Sequence, residues 1–224
     1  MPADDPSRQA GPAWLVAEWL ATEERLFHVK HLFAMDEALR AEADRMLADS
    51  GFGPILGELG FVAVGSYPMR TMTWRDLDFE RTQDPPDWAD HWDLGTRLAK
   101  TGWCWRLTCI DAYRPASGEE GGGLYWGLRA ANPAGGETWK LDLWTAREFG
   151  HAKREKWMSL LTEEKRAQIL AIKEVVCHEP EYRRTLLSVH IYDAVLEHGI
   201  EGLEQFREWW LIHAVKPWNP TGWH

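Results

Sequence analysis

Val64-Gly65-Ser66 is followed, nine residues later, by Asp76-Leu77-Asp78-Phe79. The apolar residues before Gly65 and around the two acids predict two strands, with a small-residue turn after the first. Side chains alternate along a strand, so Asp76 and Asp78 project from one face. Two carboxylates held side by side repel each other unless a cation lies between them. Such a pair suits a divalent ion, which prefers oxygen ligands. Gly65 allows backbone to approach a ligand closely because it has no side chain. Ser66 offers a hydroxyl and a backbone N–H to a phosphate oxygen, helped by the helical turn predicted after it. The pattern predicts metal-assisted chemistry on a phosphate.

A third acid follows in Trp139-Lys140-Leu141-Asp142-Leu143-Trp144, where Asp142 stands between apolar neighbours. Gly-Ser, about ten residues, Asp-x-Asp and a strand-borne third Asp, in that order, resemble the signature of the nucleotidyltransferase superfamily related to DNA polymerase β. The minimal and antibiotic-type members are the nearest in kind. The resemblance runs from about residue 55 to 145. It implies that Asp76, Asp78 and Asp142 are the catalytic, metal-holding acids, with one or two Mg²⁺ ions as cofactor. It implies an NTP donor held by Gly65, Ser66 and Arg70. Asp142 would complete a metal site or take the proton of the attacking hydroxyl, and both roles stay open. In that superfamily the C-terminal helices often shape the acceptor site. Ser188 and Tyr192, i and i+4 on one predicted helix, are the acceptor residues it suggests.

Attack on an α-phosphate requires its charge to be neutralised and the attacking and leaving groups to be held in line. A pair of metal ions can clamp both the entering and the leaving oxygen. Other features carry less chemistry. Arg75 flanks the acids but reads as a surface partner. Lys153, Arg154 and Lys156 read as a solvated helix face. Gly121-Gly122-Gly123 lacks the GxxxxGK[ST] pattern and precedes a strand, so it reads as a turn. Cys104, Cys109 and Cys177 form no CxxC, and the nine histidines form no HExxH, so no zinc site or disulfide framework is indicated.

Composition narrows the class of partner. The 224 residues carry 35 acids against 25 Lys plus Arg, a formal net charge of −10, which disfavours broad DNA binding. A local basic patch would still permit an RNA end, and tRNA stays open as a partner. No apolar run approaches the roughly 18 residues of a membrane span. The N-terminus has no basic segment leading into an apolar one, so a cytoplasmic protein is expected. The fifteen tryptophans read mostly as core or groove lining.

The acids need a sheet to hold them. Helices are predicted over 13–30 and 36–49, with Asp36 as a candidate cap for the second, and a helical turn over 54–59. Strands are predicted over 61–64 and 77–80, separated by a helical turn or short helix over 67–74. Asp84-Pro85-Pro86-Asp87 breaks the chain and caps a helix over 88–100. A strand over 103–114 precedes a loop and then a hairpin of 124–131 with 138–144. Four helices follow, over 147–161, 163–177, 181–197 and 203–215. The expected fold is α+β: a small mixed β-sheet nucleotidyltransferase core with flanking N-terminal helices and a C-terminal helical half. The expected divisions are a flexible tail at 1–12, an α/β core at 13–146 and a helical subdomain at 147–224, meeting across a cleft with the acids on its floor.

The functional expectation is metal-dependent transfer of a nucleoside monophosphate from an NTP to a hydroxyl of a small molecule, protein or RNA. Toxin-type transfer to tRNA, and a non-catalytic nucleotide-binding or regulatory module of the same fold, are the alternatives. A metal-dependent phosphohydrolase is disfavoured because no histidine accompanies Asp-x-Asp.

Overall fold

A computed structural model describes residues 23–114, 122–182 and 184–213, and for 23–25 and 152 it describes the backbone alone. The predicted tail, part of the first predicted helix, most of the loop before Leu124 and the last eleven residues lie outside these.

The fold is α+β, with a five-stranded mixed sheet between two sets of helices. Helices α1 (Glu23–Asp49) and α2 (Phe52–Glu58) precede β1 (Val62–Val64) and β2 (Asp76–Thr82). Helix α3 (Trp88–Lys100) leads to β3 (Cys104–Asp111), β4 (Leu124–Ala130) and β5 (Trp139–Ala146). Helices α4 (His151–Leu160), α5 (Glu163–Val176), α6 (Ser188–Tyr192, running into a π turn over Asp193–Glu197) and α7 (Gly202–His213) complete the described chain. The strand order is β1-β2-β5-β4-β3, with β2 and β5 parallel and every other pair antiparallel. The predicted hairpin of β4 and β5 forms, and it places β5 directly beside β2.

Local chemistry explains the element ends. Asp87 caps α3 by accepting from Ala89 N at 2.7 Å, with Asp90 in the first turn and Arg97 and Lys100 in the last. Thr162 caps α5 by accepting from Lys165 N at 3.2 Å. The sheet faces alternate as period-2 patterning requires. Leu77, Phe79, Leu141, Leu143, Trp126 and Leu128 pack against α1, α2 and α3 in one core. A second core joins the C-terminal helices, including Trp157, Ile169, Ile172, Ile191, Tyr192 and Phe206, to Met69 of the β1–β2 loop.

Three expectations about helices are corrected. The segments 13–30 and 36–49 were expected as separate helices, but Glu23–Asp49 is one continuous helix. No Gly or Pro breaks it, and Asp36 lies inside it rather than at its start. Its buried carboxylate instead accepts from Met72 N at 2.8 Å and pairs with Arg166 at 2.8 Å. For 67–74 the short-helix option gives way to turns over 65–70, closed by Met69 N to Gly65 O and Thr71 N to Ser66 O, with Arg70 at φ 56°. The helix predicted from 181 begins only at Ser188. Leu187 is extended, and its N–H donates to His190 Nδ1 at 3.1 Å, which starts the helix there.

Candidate active site

Asp78 and Asp142 face each other as Cα partners across the parallel β2–β5 pair, and Asp76 likewise faces Lys140. Alternation puts all four side chains on the sheet face opposite the first core. One carboxylate oxygen from each of Asp76, Asp78 and Asp142 lies within 4.8 Å of the others. Oxygens around a single magnesium at about 2.1 Å span at most roughly 4.2 Å, so a small closure suffices for a shared ion. Asp78 is held well above the usual carboxylate range, first by burial and then by the charges of Asp76 and Asp142. Asp76 Oδ2 accepts from Trp74 Nε1 at 3.1 Å and from Lys140 Nζ at 3.2 Å, and its buried Oδ1 lies 3.0 Å from the same ammonium. Three converging carboxylates, one of them strongly desolvated, share a single ammonium, and the negative charge left over is what a hard divalent cation would satisfy. The residues therefore fit such an ion.

The turn after β1 presses on the same carboxylates. Gly65 has φ 68°, and a Cβ there would lie 2.8 Å from Asp78 Oδ2. Only glycine meets both demands without strain. Ser66 follows it, partly buried. The loop is anchored from beneath by buried cations. Arg166 Nε donates to Arg70 O at 2.7 Å, and Lys173 Nζ donates to Thr71 O at 2.6 Å.

A cavity of about 200 Å³ opens beside the acids, lined by Gly65, Asp78, Glu80, Trp144, Arg154 and Trp157 among others. Glu80 continues the row of acids along β2 and pairs with Arg154 of α4. Burial raises the Glu80 carboxyl, and Arg154 opposes that shift. On the other side of the acids, an open recess over β3, β4 and β5 is lined by Arg106, Thr108, Tyr125, Arg129 and Lys140.

The remaining predicted residues sit as follows. Arg70 points to Glu37 at 3.8 Å and Glu163 at 3.6 Å, and it does not line the cavity. Arg75 is held by Glu42 at 2.6 Å and Glu137 at 2.8 Å. Tyr192 lines the cavity wall, but it is buried and its hydroxyl is engaged by Thr71 Oγ1 at 3.1 Å and Lys173 Nζ at 3.3 Å. Ser188 Oγ pairs with Tyr182 OH at 2.7 Å. Lys153, Arg154 and Lys156, read as a solvated face, each pair with an acid: Asp193, Glu80 and Glu197.

Two residues at the acids escaped the sequence reading. Lys140 Nζ lies 3.0 Å from Asp76 Oδ1 and donates to Asp142 Oδ2. Burial alone would lower the Lys140 ammonium pKa, but the charges of Asp76 and Asp142 outweigh it and raise it. Tyr125 OH donates to Asp142 Oδ1 at 2.8 Å, and burial followed by the Asp142 charge pushes its phenol up. The alternation that paired Asp76 with Asp78 also pairs Lys140 with Asp142, so the signal for Lys140 was present. Tyr125 gave none, because it lies on another strand.

No protein-family model matches the chain, and no curated protein matches it. Among solved structures, one described as "Structure and function of the polymerase core of TRAMP, a RNA surveillance complex" is similar over 86% of this chain and 57% of that one, with 15% identity and a TM-score of 0.42. The chain thus spans a little over half of that neighbour's length, and a likeness at this level assigns neither family nor activity.

Proposed function

We propose that the chain is a nucleotidyltransferase, moving a nucleoside monophosphate from an NTP to an acceptor hydroxyl. The observation that carries this reading is the convergence of Asp76, Asp78 and Asp142 from two adjacent parallel strands, with the Gly65 turn against Asp78. Magnesium held by these carboxylates would neutralise the phosphate charge and polarise the α-phosphorus. The protein's own groups do the rest. The Gly65-Ser66 turn holds the β- and γ-phosphates through N–H groups and the Ser66 hydroxyl. The aromatic cavity beside Asp78 receives the remainder of the nucleotide, with the Glu80–Arg154 pair on its wall. The acceptor approaches over the open face of β3–β5, where Asp142 borders the recess and takes up the hydroxyl proton. The new oxygen–phosphorus bond forms as the bond to the β-phosphate bridging oxygen breaks, and pyrophosphate leaves. Ser188 and Tyr192 act here through the packing of α6 against the cavity, and Arg70 through the shape of its loop. A helical unit over 147–224 would then form one wall of the cleft. The net charge of −10 favours a small molecule, a protein or a short RNA end over duplex DNA as acceptor.

A second reading has a specific observation behind it. Lys140 already supplies a cation to Asp76 and Asp142, as a non-catalytic nucleotide-binding module could do permanently. Calorimetric titration with ATP, GTP, CTP and UTP, with and without Mg²⁺, separates the two. The transferase reading expects metal-dependent binding of at least one NTP, lost in the Asp76→Asn/Asp78→Asn variant. Binding indifferent to metal supports the module, and no binding of any NTP removes both.

A further inference from the structure

We infer that Lys140 is a resident counter-ion of the acid trio that couples metal entry to phosphate entry. The inference rests on the transferase reading and deepens it. Lys140 Nζ bridges Asp76 and Asp142, ligands contributed by two different strands. Its stem rises from β5 two residues before Asp142, so the ammonium is fixed over the site rather than borrowed from a mobile surface chain. The side chain is mostly buried, with 23% of its surface exposed. Burying an unpaired cation there would be costly, and so would leaving the acids unpaired.

The consequence is a linkage between two ligands. A divalent ion arriving alone competes with the Lys140 ammonium for the same carboxylates. If it wins, the ammonium is left desolvated without an anion. A triphosphate arriving alone meets three acids, with Lys140 held by Asp76 and Asp142 and Arg154 held by Glu80. A metal bound to a triphosphate solves both problems together: the metal replaces the ammonium at the carboxylates, and the phosphate replaces the carboxylates at the ammonium. Lys140 thus disfavours either half of the substrate alone and favours the complex. This is coupling in the thermodynamic sense, carried by one side chain with two sets of partners. The Glu42–Arg75 and Glu80–Arg154 pairs lack this position, because neither cation touches the trio.

The test is calorimetry on the full chain with two probes, Mn²⁺ alone and inorganic tripolyphosphate in excess Mn²⁺. The polyphosphate makes the result independent of base preference. Lys140→Met is expected to bind Mn²⁺ alone about tenfold more tightly than wild type, and Mn²⁺-tripolyphosphate about tenfold more weakly. Shifts of opposite sign are the signature, since a purely structural lysine would weaken both. Mn²⁺ bound equally or less tightly by the variant, or both affinities moving together, overturns the inference. Lys140→Gln removes the charge while keeping a polar side chain, and it must give the same two shifts if Lys140→Met does not fold. Equal Mn²⁺ binding by wild type and variant sinks the role of Lys140 alone. No Mn²⁺ binding by either, with or without tripolyphosphate, removes the transferase reading with it.

Discussion

Gly65 is where backbone conformation and site chemistry meet in a single residue. Its φ of 68° is left-handed, and the space where a Cβ would stand is taken by an Asp78 carboxylate oxygen 2.8 Å away. An alanine would have to relieve both the torsional strain and the clash. The torsional part alone costs about 1–2 kcal/mol. Gly65→Ala is therefore expected to lower unfolding free energy by at least that amount in urea denaturation. It should also weaken metal-dependent NTP binding, because the cheapest relief is to push Asp78 away from Asp142. Unchanged NTP affinity in a folded Gly65→Ala protein would mean that the close approach has no part in ligand binding.

Among elements, the joint between α1, the β1–β2 loop and α5 decides where the site loop lies. Arg166 of α5 is almost wholly buried, and it bonds at once to Asp36 of α1 and to the Arg70 carbonyl in the loop. It also stacks over Phe33, 4.0 Å from the ring centroid. Removing one partner of a buried pair strands the other, at a cost of about 3–5 kcal/mol. Arg166→Met should destabilise the fold by an amount in that range and loosen the Gly65-Ser66 turn. The double change Asp36→Leu/Arg166→Met should recover only part of the stability and none of the NTP affinity, since the Arg70 carbonyl and the Met72 N–H of the loop both stay unanchored. Thermal melts and calorimetry on the three proteins measure both parts. Full recovery of NTP binding in the double variant would show that the ion pair, not the loop contact, is what matters.

For the whole molecule, acid sensitivity should be visible in His91, on the buried face of α3 against Trp126 of the sheet. It is fully buried, stacks on Trp126 with centroids 5.3 Å apart, and lies 3.5 Å from Cys109 Sγ through Nε2. Burial, followed by the charge of Arg81, lowers its pKa to about 4. A depressed folded-state value means that the unfolded chain takes up the proton first. Stability attributable to neutral His91 is then complete above the ordinary histidine value of about 6.5 and is lost as pH falls from there toward about 4. Melting temperature measured between pH 7.5 and 4 should decline less steeply in His91→Leu than in wild type. Parallel curves would place the acid-sensitive group elsewhere. No helix among the described residues is long and apolar enough to cross a membrane.

Short-range rules made much of this legible in the chain itself. Alternation in Asp76-Leu77-Asp78 and Lys140-Leu141-Asp142 fixes which side chains share a face. Turn residues at 132–136 set the hairpin that brings β5 into the sheet, and Asp87 and Thr162 mark helix starts by their own chemistry. Each depends on neighbours a few residues away. The parallel register that sets Asp78 against Asp142, the ammonium of Lys140 over both strands, and the pairing of Asp36 with Arg166 across 130 residues depend on packing. Asp36 carries the signal of a helix cap, and only burial of that face of α1 against α5 turns it into an ion-pair partner. Local sequence sets what a residue can bond to, while tertiary packing decides which partner is within reach and how much water is left to compete.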